Sequence, residues 1–161
     1  MPEHFDARRL ALILAGFNRA KPEARLETFS GMSGDLKQKL NAGDLDIALV
    51  KREPDSGPCW AAWPEELVWV KGVDVDTANA VVPLALFPQG CIYRQRAIRL
   101  LDVAQRPWRV AFGSHSLTGI QAAVACGLGV SILPVSAVLP EHSVCNDLPE
   151  LSPTELALIS R

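Results

Sequence analysis

Two stretches of the sequence decide the fold, because each carries the same order of elements. Residues 26–50 read LETFSGMSGDLKQKLNAGDLDIALV, and residues 109–133 read RVAFGSHSLTGIQAAVACGLGVSIL. Each pattern predicts a strand, a small polar loop, a helix, a glycine and an apolar strand. The two stretches match Phe29 with Phe112, Ser33 with Ser116 and, after a one-residue shift, Gly43 with Gly127. Their identity is low, so the match indicates a repeated architecture rather than a proven duplication.

The elements around these stretches predict an α/β protein. Hydrophobic periodicity predicts helices at 6–21, 33–41, 91–105 and 116–126, and strands at 25–29, 45–50, 66–71, 82–87, 108–112, 130–133, 143–146 and 154–160. The continuous apolar run at 45–50 predicts a parallel strand covered on both faces, followed by a polar loop at 51–58. Residues 72–80 are polar and irregular, so we expect the chain to cross between two lobes there. The first helix is apolar on two faces, which predicts a partner subunit on one of them.

Composition excludes several classes of protein. The chain has 161 residues, of which 48% are hydrophobic and 21% charged, and its net charge of -2 lacks the basic footprint of a nucleic-acid-binding domain. We find no membrane span and no secretory signal, so we expect a cytoplasmic protein without a membrane partner. The four cysteines lack metal-ligand spacing, and no metal or cofactor is expected. No catalytic motif of the P-loop, GxSxG, HExxH or GxGxxG type is present, so we expect no enzyme activity.

The loops after Phe29 and Phe112 are the first candidates for a ligand site. In open α/β sheets, ligands bind outside the carboxyl ends of the strands. Both loops bring backbone N–H groups, hydroxyls and a helix N-terminus together, which suits an anion or a polar group. The alternative is that these polar residues simply cap the helices that follow them.

Two motifs resemble the regulatory domain of LysR-type transcription regulators. They are Gly43-Asp44-Leu45-Asp46-Ile47-Ala48-Leu49 and, about 85 residues later, Gly127-Leu128-Gly129-Val130-Ser131-Ile132-Leu133-Pro134. The resemblance covers nearly the whole chain and implies a type 2 periplasmic-binding-protein fold, in which two Rossmann-like lobes are joined by crossover strands. It implies a first lobe of residues 1–72 plus 147–161 and a second lobe of residues 73–146.

The resemblance also implies a function and partners. A small-molecule effector would bind between the lobes, and subunits would pair through the first helix as a dimer, with a tetramer in the full protein. DNA would be bound only by a winged helix-turn-helix domain that is absent from this chain. The family pattern has a strand before Pro2 and a helix after Arg161, so we expect a chain truncated at both ends. A solute-binding protein of the same fold is the alternative function.

The site residues are carried over from the loops that line the family's cleft. They are His4, Gly31, Met32, Ser33, Gln89, Cys91, Ser114, His115 and Ser116. For each of them a structural role is the alternative: a solvated loop position for the histidines, a helix cap for the serines and inert packing for Cys91, which could otherwise be a redox switch. Arg94 or Arg96 could attract an anionic effector; the alternative is that Arg94, Arg96 and Arg99 form a solvated helix face. The four tryptophans are expected to pack, and Trp60 and Trp63 could shield the cleft or an interface.

Overall fold

A computed structural model describes residues 7–23, 33–78 and 81–160 of the chain. The helices are α1 (Ala7–Ala20), α2 (Ser33–Asn41), α3 (Ile92–Val103) and α4 (Leu117–Ala125), with a 3-10 turn at Val135–Ala137. The strands are β1 (Ile47–Arg52), β2 (Ala61–Glu65), β3 (Leu67–Gly72), β4 (Val82–Leu86), β5 (Trp108–Gly113), β6 (Ser131–Pro134), β7 (His142–Val144) and β8 (Thr154–Ser160). The predicted α/β class is confirmed. The strand predicted at 25–29 lies outside the described residues.

The first lobe is built on the antiparallel sheet β1-β8-β2. Helix α2 packs on this sheet through Leu36 and Leu40, which are 1% and 2% exposed, as their spacing of four residues predicts. Gly43 has a φ of 85°, a conformation that residues with a Cβ rarely adopt, so it ends the helix as predicted. The small core of this lobe also contains Ala48, Val50 and Ala157.

Strand β1 differs from its prediction in two respects. Among the described strands it pairs antiparallel with β8, and its start is not covered, because Ile47 is 59% exposed while Ala48 is buried. It also continues through Lys51 and Arg52, which were predicted to begin a polar loop and are instead buried. These two cations can be buried because each has a carboxylate partner in the fold, whereas an unpaired buried charge would be prohibitively unfavourable.

The second lobe contains the larger core. Strands β4 and β5 pair in parallel, and β4 also meets Val130 just before β6. Gly129 permits this close approach, because a Cβ at that position would lie 2.7 Å from the backbone nitrogen of Ala85. Strands β6, β3 and β7 form an antiparallel sheet, and α3 and α4 cover the core. Gly127 has a φ of 79° and ends the segment of α4, as Gly43 does after α2.

Strands β2 and β3 are consecutive in sequence but pair in different sheets. Strand β2 pairs with β8 of the first lobe, whereas β3 pairs with β6 and β7 of the second. The pairing partner therefore changes at Glu66, before residues 72–80, where we expect the crossover between the lobes. The reason is that β3 carries Trp69 and Val70, which are buried in the larger core.

Two of the four tryptophans are not packed as predicted. Trp69 is 3% exposed and Trp108 is partly buried, but Trp60 is 75% exposed and Trp63 is 46% exposed. Both exposed rings belong to β2 or its entry, and β2 is the outer strand of the described sheet. The described residues leave both rings largely uncovered, so packing is the wrong prediction for Trp60 and Trp63, and shielding of the cleft or an interface stays a prediction. No helix of the described part combines the length and the apolar character that a membrane span requires.

Candidate ligand-binding site

The loops that follow β4 and β5 lie side by side in the second lobe. The two strands are parallel neighbours, so their carboxyl ends share one edge of the sheet. The backbone N–H of Ser114 donates to the carbonyl oxygen of Leu86 at 3.1 Å, which joins the two loops. Helices α3 and α4 begin directly after these loops, and their N-termini carry the positive end of the helix dipole. The predicted residues from Gln89 to Cys91 and from Ser114 to Ser116 are therefore brought together.

The serines of the second loop cap helix α4. The Ser116 hydroxyl oxygen accepts a hydrogen bond from the backbone N–H of Gly119 at 3.2 Å, and the Ser114 hydroxyl oxygen accepts one from the backbone N–H of Ser116 at 3.0 Å. His115 is exposed between them. The capping role that was the alternative for both serines is thus present in the structure. It leaves each hydroxyl able to donate its hydrogen to a ligand oxygen, since a hydroxyl is both acceptor and donor.

The first loop ends at a buried cysteine. Gln89 and Gly90 are exposed in a turn, and Gly90 has a φ of 95°. Cys91 precedes α3, is 3% exposed and makes no side-chain cap. Burial raises the pKa of the Cys91 thiol. A protonated, buried thiol is a poor nucleophile, so these properties favour the packing role of Cys91 over the redox switch.

Ser33 has a different role from its counterpart Ser116. It is the first residue of α2, and its hydroxyl oxygen accepts a hydrogen bond from the backbone N–H of Lys51 at 2.9 Å. The hydroxyl therefore ties the start of α2 to the end of β1. The other predicted first-lobe residues, His4, Gly31 and Met32, lie outside the described residues.

A buried group of polar side chains that the sequence did not reveal lies where the lobes meet. This interlobe cluster consists of Lys51 of β1, Glu65 of β2 and Tyr93 of α3. The Lys51 ammonium lies 3.0 Å from Glu65 Oε2, and the Tyr93 hydroxyl hydrogen-bonds with both Lys51 Nζ and Glu65 Oε1. The ammonium also lies 4.8 Å from the centre of the Tyr93 ring. Lys51 and Glu65 belong to the first lobe and Tyr93 to the second, so the cluster joins the lobes.

Burial dominates the electrostatics of this cluster. Burial lowers the pKa of Lys51, and the neighbouring Glu65 carboxylate opposes that shift. Burial, followed by the charge of Glu65, raises the pKa of Tyr93 well above its ordinary value of 10.0. Tyr93 therefore stays protonated at neutral pH and can donate its hydrogen. Sequence reasoning missed the cluster because its members are separated by 14 to 42 residues and no local pattern relates them.

Of the three arginines of α3, Arg99 is solvated as the alternative reading expected, whereas Arg96 is not. Arg96 is 3% exposed, and its Nε lies 2.8 Å from Glu53 Oε1. Arg94 donates to the carbonyl oxygen of Phe87 at 3.1 Å, while Arg99 is 61% exposed and lies 3.8 Å from Glu53. Solvent exposure is therefore the wrong prediction for Arg96, because its guanidinium is buried and pairs with the partly exposed Glu53. The described residues contain no group of three or more histidines, cysteines or carboxylates that could hold a metal ion.

Two α/β lobes with helix N-termini and polar side chains at their junction define a bilobal small-molecule-binding domain. The family model of the LysR substrate binding domain matches residues 1–161, so the chain belongs to that family. The predicted family membership and the type 2 periplasmic-binding-protein-like fold are thereby confirmed.

Curated relatives are helix-turn-helix transcriptional regulators. The chain is 28% identical over 153 residues to the HTH-type transcriptional regulator DgdR of Burkholderia cepacia, covering 94% of this chain and 52% of DgdR. It is 29% identical over 157 residues to CzcR of Bacillus subtilis (strain 168), covering 89% of this chain and 52% of CzcR. The chain thus spans about half the length of these relatives.

Solved structures share the fold at low sequence identity. The regulatory domain of Synechocystis PCC6803 CcmR in complex with 2-PG superposes with a TM-score of 0.67 at 16% identity, over 93% of this chain and 81% of that one. The effector-binding domain of QuiR in complex with shikimate superposes with a TM-score of 0.69 at 13% identity, over 99% of this chain and 84% of that one. Ligand-bound regulatory domains are therefore among the proteins with this fold.

Proposed function

We propose that this effector-sensing domain binds a small polar or anionic molecule between its lobes and thereby controls transcription by a longer regulator. The ligand would contact the loops at Gln89–Cys91 and Ser114–Ser116 of the second lobe and Ser33 of the first. His4, Gly31 and Met32 belong to the same proposal through the family resemblance. Residues 1–66 and 154–161 would form the first lobe, because the change of strand partner at Glu66 supports an earlier boundary than residue 72.

One observation carries this proposal: the carboxyl end of β1 meets the N-terminal turn of α3 from the other lobe. Lys51 bonds Ser33 through its backbone and Tyr93 through its side chain, so the start of α2 and the start of α3 lie around one residue. The start of α4 is joined to this region through Leu86 and Ser114. N–H groups at helix N-termini stabilise anions and polar oxygens, which supports the class of ligand.

A thermal-shift screen with a panel of small carboxylates, amino acids and aromatic acids tests the proposal. A ligand that binds only the folded chain raises its melting temperature in proportion to the logarithm of its concentration. Ser116→Asp sharpens the test, because aspartate caps a helix about as well as serine but places a negative charge at the proposed site. Ser136→Ala, at an exposed serine of the 3-10 turn, is the matched control.

The expected result is a dose-dependent shift from a carboxylate that Ser116→Asp abolishes and Ser136→Ala retains. A shift of equal size in all three chains would place the ligand elsewhere. A well-folded chain that responds to no member of the panel would contradict the proposed ligand class.

Partners follow from the family and form part of the proposal. The relatives are named as helix-turn-helix regulators, and one neighbouring structure is full-length CbnR complexed with its target DNA. We propose that the longer protein contacts DNA, is cytoplasmic and forms a tetramer. We also propose that α1 pairs two subunits and that the domain is not an enzyme. The described part of α1 leaves Leu12 72% exposed, which supports a partner at that helix. Light scattering that finds a monomer at high concentration would contradict the pairing.

A further inference from the structure

We infer that Arg96 is a positioning residue that sets the arrangement of the two lobes and, through it, the place of the α3 N-terminus in the ligand site. Arg96 belongs to α3 of the second lobe. It contacts two segments outside that lobe's core: Glu53, which follows β1, and the Ser152–Pro153 segment, through which the chain returns to β8. We call this set of contacts the arginine bridge. Only its meaning for ligand binding rests on the proposed function.

The guanidinium uses all three of its nitrogens in the arginine bridge. Nε donates to Glu53 Oε1 at 2.8 Å and Nη2 pairs with Glu53 Oε2, which is the two-pronged geometry that carboxylates favour with arginine. Nη1 donates to the carbonyl oxygen of Ser152 at 2.6 Å, and Nη2 also donates to that of Pro153 at 3.2 Å. A planar fork with fixed donor directions constrains the orientation of its partners more than a single point charge does.

Burial makes this bridge costly to break. Arg96 is 3% exposed, so removal of its acceptors while the lobes stay together would leave a buried cation with unsatisfied donors. Arg96 lies on the same helix as Tyr93 of the interlobe cluster, and Tyr93 precedes it by about one turn. Helix α3 is therefore attached to the first lobe at two successive turns. Because Cys91 immediately precedes this helix, movement of α3 against the first lobe moves the loop proposed to contact the ligand.

Two native cysteines allow the lobe arrangement to be measured directly. Cys59 lies between β1 and β2 of the first lobe and Cys126 ends α4 of the second; both are exposed, while Cys91 and Cys145 are buried. Spin labels on Cys59 and Cys126 would report the interlobe distance by pulsed electron paramagnetic resonance. Dilution with unlabelled chain removes distances between subunits. No ligand is added, so the result does not depend on whether the proposed effector class is right.

Arg96→Met should shift and broaden the distance distribution between the two labels. Gln95→Met is the matched control, since Gln95 lies on the same helix and is exposed. Arg96→Lys keeps the charge without the fork and should resemble Arg96→Met. A native distribution in folded Arg96→Met, or full rescue by Arg96→Lys, would overturn the inference.

Glu53→Gln provides a second route if Arg96→Met does not fold. The Glu53 side chain is 43% exposed, and glutamine keeps its shape while removing the charge. A broader distribution in this variant supports the inference. An unchanged distribution in Glu53→Gln, when Arg96→Met is unfolded, would reduce Arg96 to a residue required for folding and so overturn its positioning role.

Discussion

Replacing Lys51 by methionine separates the contribution of the interlobe cluster from that of simple packing. Methionine keeps most of the apolar stem but removes the ammonium that lies 3.0 Å from Glu65 Oε2. Removal of one member of a buried ion pair destabilises proteins by about 3–5 kcal/mol, because the remaining charge is left without its partner.

Two features of the structure reduce the destabilisation expected for this pair. The Glu65 side chain is 18% exposed, and it retains the hydroxyls of Tyr93 and of Thr154, the latter at 3.3 Å, as donors. Burial of Lys51 is itself unfavourable, as the lowered pKa of its ammonium indicates. We therefore expect Lys51→Met to lower the free energy of unfolding by about 2–3 kcal/mol.

Urea unfolding of a four-member mutant cycle measures this effect. With a urea dependence of about 2–3 kcal/mol per molar, the midpoint of Lys51→Met should fall by about 1 M. The double variant Lys51→Met/Glu65→Gln removes both charges and should regain most of the loss, because a neutral pair needs no compensation. Lys37→Met, on the exposed side of α2, is the control and should change stability by less than about 0.5 kcal/mol.

Two results would refute this reasoning. The first is a Lys51→Met variant as stable as the Lys37→Met control, which would mean that the pair has no net coupling in solution. The second is a double variant whose loss equals the sum of the two single losses, because independent sites add whereas coupled ones do not.

Three other predictions test separate parts of the structure. The Arg96 hydrogen bond lowers the pKa of Glu53 from its ordinary value of 4.5, so Glu53 stabilises the fold above that pH and loses its contribution as the pH falls below it. Below pH 4.5, the urea midpoint should therefore decrease more steeply with falling pH for the native chain than for Glu53→Gln. Equal slopes in the two chains would contradict the bridge. Gly129→Ala should destabilise the protein by about 1–3 kcal/mol, because the added Cβ would meet the backbone of β4. Gly34→Ala, whose added Cβ would have no atom within 4 Å, should stabilise the protein by about 0.4–1 kcal/mol. Similar urea midpoints for the two variants would contradict the close approach at Gly129. Ser116→Ala should lower stability by about 1 kcal/mol through loss of the α4 cap, and calorimetry showing no loss would contradict it.

Local patterns predicted the elements well wherever neighbours in sequence decided the structure. The four-residue spacing of Leu36 and Leu40 predicted the buried face of α2, and Ser116 was correctly predicted to cap α4. The two glycines that end helical segments, Gly43 and Gly127, both adopt positive φ values. The element order of the second repeated stretch, from β5 through α4 to β6, is confirmed in full.

The candidate site was predictable only in part. The family resemblance assigned the two second-lobe loops to one cleft, and the structure joins them because β4 and β5 are parallel neighbours whose carboxyl ends share one edge. It gave no indication that the Ser33 hydroxyl would bond Lys51 of β1, 18 residues away, rather than cap its own helix. It also did not show that the strand partner changes at Glu66, since both flanking strands are too short for their periodicity to reveal which core they join.

By itself, the sequence determined the α/β class, the helix faces, the glycine stops and, through two motifs, the family. Only the tertiary structure decided which charged side chains are buried and which partners they have. Lys51 and Arg96 were predicted to lie in a loop and on a solvated or ligand-facing helix, yet both are buried. The partner of Arg96 on the first lobe is 43 residues away and its partner at Ser152 is 56 residues away. A charge is buried only where a counter-charge and acceptors meet it in space, and those positions are set by the packing of the whole chain.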